Sequence, residues 1–208
     1  MARGRFITLE GLDGAGKSTH LAFIRDWLAE RRIETVFTRE PGGTPLGEKL
    51  RELLLDVDTE ATLDTETLLM FAGRMEHIAR VIEPALAAGR WLVSDRFTDA
   101  TFAYQGGGRG VAAERIRVLE DWVQQGLQPD LTLLLDVPLS VSQARMAASR
   151  TLDRFEQEAA DFHERVRAAY LVRAAAEPAR FAVIDASRDI TSIQRDIATH
   201  LVALKERA

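Results

Sequence analysis

The chain contains no cysteine and no asparagine, and only three of its 27 basic residues are lysine: Lys17, Lys49 and Lys205. Without cysteine there are no disulfides, no thiolate nucleophile and no cysteine-based zinc site. Without asparagine, the N-K-x-D element with which GTPases read guanine is missing, as is the H-R-D…Asn catalytic loop of protein kinases. The scarcity of lysine leaves arginine, a planar bidentate donor, to hold most anions. The four histidines are scattered with no ligand spacing. Nowhere do 18 apolar residues run together, and MARGRFITLEG passes almost at once into a strand-like segment without an apolar leader. A soluble, cytoplasmic protein with no membrane partner is therefore expected. The net charge of −5 argues against nucleic acid as a partner. A length of 208 residues, 46% of them hydrophobic, suits a single domain over 1–208.

Five short apolar runs, at 5–10, 35–40, 91–95, 131–137 and 181–186, have the length and content of strands buried on both faces. Between them, residues 17–31, 45–56, 65–88, 112–125, 140–149, 156–176 and 189–206 carry helix formers with apolar positions three and four apart. Such alternation predicts an α/β fold with a parallel sheet covered on both faces, its ligands lying beyond the carboxyl ends of the strands. REPGGT (39–44) and YQGGGRG (104–110) read as functional loops.

At one strand end stands GLDGAGKS (11–18), a G-x-x-x-x-G-K-[ST] pattern preceded by a strand and followed by a helix. That context marks a phosphate-binding loop. Gly11, Leu12, Asp13, Gly14, Ala15, Gly16, Lys17, Ser18 and Thr19 are accordingly expected to wrap a nucleoside triphosphate. Lys17 would neutralise the transferring phosphates, Ser18 would ligate magnesium, and the helix N-terminus would add its dipole. Asp13 is the odd member, because a carboxylate beside a triphosphate is unfavourable unless it faces a second substrate. WLVSDR (91–96) ends its strand with Asp95, suited to the magnesium shell, and Arg96, a candidate phosphate clamp; Arg51 is a further clamp candidate. ARMAASRTLDRFEQE (144–158) sets Arg145, Arg150 and Arg154 around small residues. It reads as a lid at about 145–156 that closes over the triphosphate and excludes water.

FITLEGLDGAGKST, TREPGGTPLGEKLRELLL, LLMFAGRMEHI, SDRFTDATFAYQGGGRG, PDLTLLLDV and LDRFEQE, in this order over nearly the whole chain, resemble the bacterial thymidylate kinase family. The resemblance implies a three-layer P-loop NTPase-type fold with a five-stranded parallel sheet, helices on both faces and a short lid. It further implies transfer of the ATP γ-phosphate to dTMP, giving dTDP for dTTP synthesis, with Mg2+ and as a homodimer. By the same resemblance, Phe71 is the platform under thymine and Arg74, three residues on along one helix, donates to its O4. Thr101 and Gln105 meet the ring edge, Tyr104 crowds the 2′ position of the sugar, and Glu40 belongs to the acceptor site. Asp13 faces the 3′-hydroxyl, and Arg145 packs against adenine. Relatives without an arginine in the phosphate loop carry one in the lid. With Gly14 and Ala15 in this loop, Arg150 is the first candidate to join Lys17 and Arg96 in stabilising the transferring phosphoryl group, and Arg154 is the second. A kinase for another nucleoside monophosphate and a nucleotide-dependent ATPase or interaction protein stay open as alternatives.

Overall fold

The computed structural model describes residues 3–146, 154–155 and 158–207. Its strands are β1 (Phe6–Gly11), β2 (Thr35–Arg39), β3 (Trp91–Asp95), β4 (Leu131–Asp136) and β5 (Phe181–Asp185). Every boundary lies within one residue of the apolar runs read from the sequence. The strands form one sheet in the order β2-β3-β1-β4-β5, all parallel. β1 is central because both of its faces are buried and its side chains alternate between two cores. Ile7 and Leu9 pack with Ile24, Leu28, Ile193 and Ile197 on one side, while Phe6 turns the other way toward Phe71, Phe97 and Ile116. From β1 the chain crosses to β2 and returns to β3 on one side, then passes over β1 to β4 and β5 on the other, and a crevice opens at that switch point.

The helices are α1 (Lys17–Glu30), α2 (Pro45–Leu55), α3 (Leu63–His77), α4 (Glu83–Ala87), α5 (Thr98–Thr101), α6 (Ala113–Gln124), α7 (Leu139–Met146), α8 (Ala160–Ala176) and α9 (Ile190–Glu206). Several begin on side chains that satisfy the orphan amides of the first turn: Thr44 accepts from Gly47 N, Thr62 from Thr65 N and Asp189 from Ser192 N. The helix expected over 65–88 is α3, a π-helical stretch at Ile78–Ile82, and α4. Pro84, which has no N–H to continue the ladder, sits at the start of α4. The helix expected over 140–149 is α7, its last three positions lying outside the described residues; the one expected over 156–176 is α8, which starts only at Ala160 with Ala159 as its N-cap, Glu158 being non-helical and 156–157 lying outside the described residues.

One reading is corrected. YQGGGRG is not a loop from its start, since Phe102–Gly108 continues α5 as a π-helix against which α8 packs. Its glycines serve close approach: a Cβ on Gly107 would lie 2.5 Å from Ala169 Cβ, and one on Gly108 would lie 2.4 Å from the Phe162 ring. Glycine composition alone does not separate this use from turn formation.

Candidate active site

Beyond the carboxyl ends of β1 and β3 lies a cavity of about 620 Å³. Its floor is the turn from β1 into α1. Gly16 caps α1 with φ 92° and ψ 18°, a left-handed conformation that a side chain would strain. No acidic residue stands in the first turn of α1, so its free N–H groups face an uncompensated site for an anion. Lys17 is buried and donates to the carbonyls of Gly11 (3.3 Å) and Leu12 (3.1 Å), folded onto its own loop. Asp13, Gly14, Gly16, Ser18 and Thr19 line the cavity, while the side chains of Leu12 and Ala15 enter the core.

Asp13 is the centre of a four-residue cluster. Its Oδ1 accepts from Arg96 Nη2 at 2.7 Å, its Oδ2 accepts from the Tyr104 hydroxyl at 2.9 Å, and Lys17 Nζ stands 3.6 Å from Oδ1. Arg96 Nη2 also donates to the Tyr104 hydroxyl at 2.7 Å and its guanidinium lies 4.5 Å from the centre of that ring. Burial by itself would raise the pKa of Asp13, but Arg96 and Lys17, with the hydrogen bonds from Arg96 and Tyr104, outweigh it and hold the carboxyl well below the usual range. Burial pushes the Tyr104 hydroxyl up. Arg96 reaches this position with φ 70°, held by its N–H to Leu9 O and by Ser94 Oγ, which donates to its carbonyl at 2.7 Å. Its Nε is buried without a partner, as is Asp95 Oδ1 beside it. Asp95 lines the same cavity.

The opposite wall is built by α3, α5 and the segment after β2. Glu40, buried, accepts Arg74 Nε on Oε2 at 2.8 Å, and its Oε1 is bonded to His77 Nδ1 at 2.9 Å; His77 Nε2 is bonded to Thr38 Oγ1 at 2.7 Å. Burial works against ionised Glu40, and Arg74 and His77 more than offset it. Arg74 Nη2 donates to Thr101 Oγ1 at 3.0 Å, and Nη1 is left buried with no partner. The Arg51 guanidinium donates to Pro41 O at 2.9 Å on the cavity rim.

Phe71 is where the structure departs from the expected site. It is 2% exposed, belongs to the core with Phe6 and Phe97, and is not among the residues lining the cavity. Arg74 lies over it, with Cζ 4.7 Å from the ring centre, so the ring supports the guanidinium from beneath. The apolar walls that do meet the cavity are Met70, Phe97, Leu55 and Phe155. Sequence reasoning missed these residues, since a spacing of three places Phe71 and Arg74 on one helix face without saying which neighbour that face meets.

Of the basic residues expected in the lid, Arg145 lines the cavity, with Nη2 on Ala186 O at 3.1 Å and Nη1 on Gly14 O at 3.5 Å. Arg154 lies on the other side, where its Nη2 donates to Glu66 of α3 at 2.5 Å. Arg150 lies outside the described residues, as does most of the segment 145–156. Glu66 itself, together with Arg39 on the rim, escaped the sequence reading: no local pattern marks a buried acid whose partners are remote in the chain. Taken together, the geometry offers one crevice with an anion cradle at one end and an arginine-lined pocket at the other, and Asp13 between them.

The family model described as thymidylate kinase matches residues 9–197. The thymidylate kinase of Chromobacterium violaceum is 72% identical over 205 residues, covering 99% of this chain and 97% of the relative. That of Neisseria meningitidis serogroup B is 63% identical over 193 residues, covering 93% and 94%. A crystal structure of thymidylate kinase from Ehrlichia chaffeensis superposes with a TM-score of 0.77 at 32% identity, covering 96% of this chain and 99% of that one.

Proposed function

The chain belongs to the thymidylate kinase family and phosphorylates dTMP to dTDP with ATP, and from that premise we propose how its residues share the reaction. The observation that carries the assignment is the position of Asp13. Its carboxylate belongs to the phosphate loop, yet it is bonded to Arg96 and Tyr104 on the acceptor side. On this reading the ATP phosphates lie over Gly11–Thr19, with Lys17 leaving the loop carbonyls for the β- and γ-phosphates and the α1 N-terminus adding its dipole. Arg145, which bridges Gly14 and Ala186, borders the adenine.

Acceptor binding uses the opposite wall. Arg74, braced by Glu40, offers its unpartnered Nη1 to thymine O4; Thr101 and Gln105 stand at the ring edge, and Met70 and Phe97 supply apolar contact with the base. Tyr104, packed tightly by α8, leaves little room at the 2′ position. Asp13 accepts from the 3′-hydroxyl, and Arg96 and Arg51 bind the dTMP phosphate. A dTMP phosphate oxygen then attacks the γ-phosphorus in line. One P–O bond forms as the bond to the ADP oxygen breaks, with no covalent enzyme intermediate. Lys17, Arg96 and a lid arginine stabilise the charge on the transferring group. Gly14 and Ala15 leave the loop without an arginine of its own, and Arg154 is engaged by Glu66, which favours Arg150 for that role.

Ser18, exposed at the start of α1, and Asp95, with its unpartnered buried Oδ1, are hard oxygen donors suited to Mg2+. When bound, the ion neutralises phosphate charge. Leu68 on α3 and Val118 and Trp122 on α6 are 52%, 67% and 67% exposed on neighbouring helices, an apolar face consistent with a homodimer. Among the described residues, no helix is long and apolar enough to cross a membrane; the proposal places the enzyme in the cytoplasm as a single 1–208 domain.

The test is coupled ADP release with ATP and each of dTMP, dUMP, UMP, CMP and GMP. Fast release with dTMP alone is expected. Preference for another monophosphate would overturn the acceptor assignment, and release without any acceptor would favour an ATPase.

A further inference from the structure

We propose that Glu66 is the positioning residue that makes the acceptor site refuse cytosine; this rests on the reading of Gln105 as a base-edge contact. Glu66 lies in the first turn of α3, 1% exposed, and is the meeting point of two hydrogen-bond donors and a further cation from distant parts of the chain. Gln105 Nε2 donates to its Oε1 at 3.0 Å, Arg109 Nε stands 3.4 Å from the same oxygen, and Arg154 Nη2 donates to Oε2 at 2.5 Å. A carboxylate paired with two guanidinium groups accepts hydrogen bonds and does not donate them. The Gln105 amide must therefore turn its NH2 toward Glu66, whichever way its oxygen and nitrogen are otherwise assigned. With its NH2 arm turned to Glu66, the arm the amide presents to the cavity it lines is its carbonyl oxygen, an acceptor.

The neighbouring groups have the opposite polarity. Arg74 Nη1 is an unpartnered donor, and Thr101 Oγ1, which accepts from Arg74 Nη2, keeps its own O–H to give. The wall thus presents donors at one point and an acceptor at the next. Thymine and uracil complement that order, with an acceptor at O4 and a donor at N3–H. Cytosine reverses it, with an amino group at C4 and a lone pair at N3, so it meets a guanidinium with an amine and a carbonyl with a lone pair. An amide free to rotate by a half turn would accept either base. The selectivity against cytosine therefore resides in the group that holds the amide, and that group is Glu66.

The experiment measures kcat and KM for dTMP and dCMP, and KM for ATP, in wild type, Glu66→Gln, Glu66→Asp and Gln105→Leu, with thermal melts to report folding. Glu66→Gln can donate as well as accept, so the preference for dTMP over dCMP should fall by about tenfold or more, with KM for ATP unchanged. Glu66→Asp keeps an acceptor-only group and should keep the preference. An unchanged preference in Glu66→Gln, or equal losses for both bases and ATP, overturns the proposal. If Gln105→Leu alters neither dTMP use nor the preference, the base-edge reading of Gln105 has failed instead. Should Glu66→Gln not fold, the pair Glu66→Ala with Arg154→Ala removes the carboxylate and a cation together while Arg109 keeps Glu158 at 2.9 Å. Compared with Arg154→Ala alone, that pair should show the same loss of preference, and its retention would equally overturn the role.

Discussion

At the scale of single residues, two carboxylates close together in the chain are driven in opposite directions. Asp13 is held ionised by Arg96 and Lys17 against its burial. Asp13→Ala removes a charge-assisted hydrogen bond worth about 1.5–3 kcal/mol. Its kcat/KM for dTMP should accordingly fall by one to two orders of magnitude while ATP affinity, read by a fluorescent nucleotide, is kept; equal losses would give Asp13 another task. Glu10, at the end of β1, accepts the Tyr170 hydroxyl at 2.7 Å and the Phe97 N–H at 2.8 Å. Burial, reinforced by Asp99, lifts its pKa from 4.5 to about 8, although Tyr170, Arg96 and the Phe97 N–H favour the ionised form. The folded state thus holds this proton more tightly than the unfolded chain. The contribution to stability is complete below about 4.5, declines as pH rises, and is lost above about 8. Glu10→Gln carries no such proton, so its melting temperature should fall less than that of wild type across this window. Parallel curves from thermal melts would remove Glu10 from the account.

At the scale of elements, α3 carries its function on one face and its support on another. Phe71 is buried in the core beneath Arg74 and is not among the residues lining the cavity. Phe71→Ala should cost about 3–5 kcal/mol of stability. Phe71→Leu, which keeps most of the volume, should retain KM for dTMP within a few-fold; a tenfold rise with an unchanged melting temperature would show that the ring itself touches thymine. The phosphate loop is the complementary case, since its glycines admit no side chain that could reach the phosphoryl group. A Cβ on Gly14 would already lie 2.5 Å from Ser142 O. On the proposed mechanism Lys17 supplies charge from the loop but a guanidinium comes from another segment, and Arg150→Ala should lower kcat by about a hundredfold or more with little change in either KM. If the variant keeps its kcat, the role passes to Arg154, and retention in the double variant would end the idea of a lid arginine.

At the scale of the whole molecule, a buried ion network locks the helical layer onto the sheet. Asp99 of α5 accepts from Arg180 at 2.6 and 2.9 Å and from Arg173 of α8 at 3.0 Å, while Arg180 also donates to Thr132 of β4 at 2.8 Å. Such a network defines how the acceptor wall sits against β1. The apolar face of α3 and α6 is left open by the single chain. Trp122→Glu should therefore convert a dimer into a monomer, as read by light scattering, without unfolding it. A wild-type chain that is monomeric at all concentrations would remove the dimer proposal.

The apolar runs, the phosphate loop and the alternation of strand and helix were legible in the sequence because each is a local property: burial on both faces demands a continuous apolar run, and a phosphate cradle demands glycine and lysine at set intervals. Asp13 was legible as an anomaly for the same reason. Tertiary structure alone decided its partners, Arg96 and Tyr104, which stand 83 and 91 residues away. It also decided that Phe71 faces the core while Met70 and Phe97 face the cavity, and that Glu66 joins Gln105, 39 residues distant, to Arg154, 88 residues distant. Spacing within an element determines which side chains point the same way, but what they point at depends on how elements pack. A buried polar group has no partner until the chain closes around it.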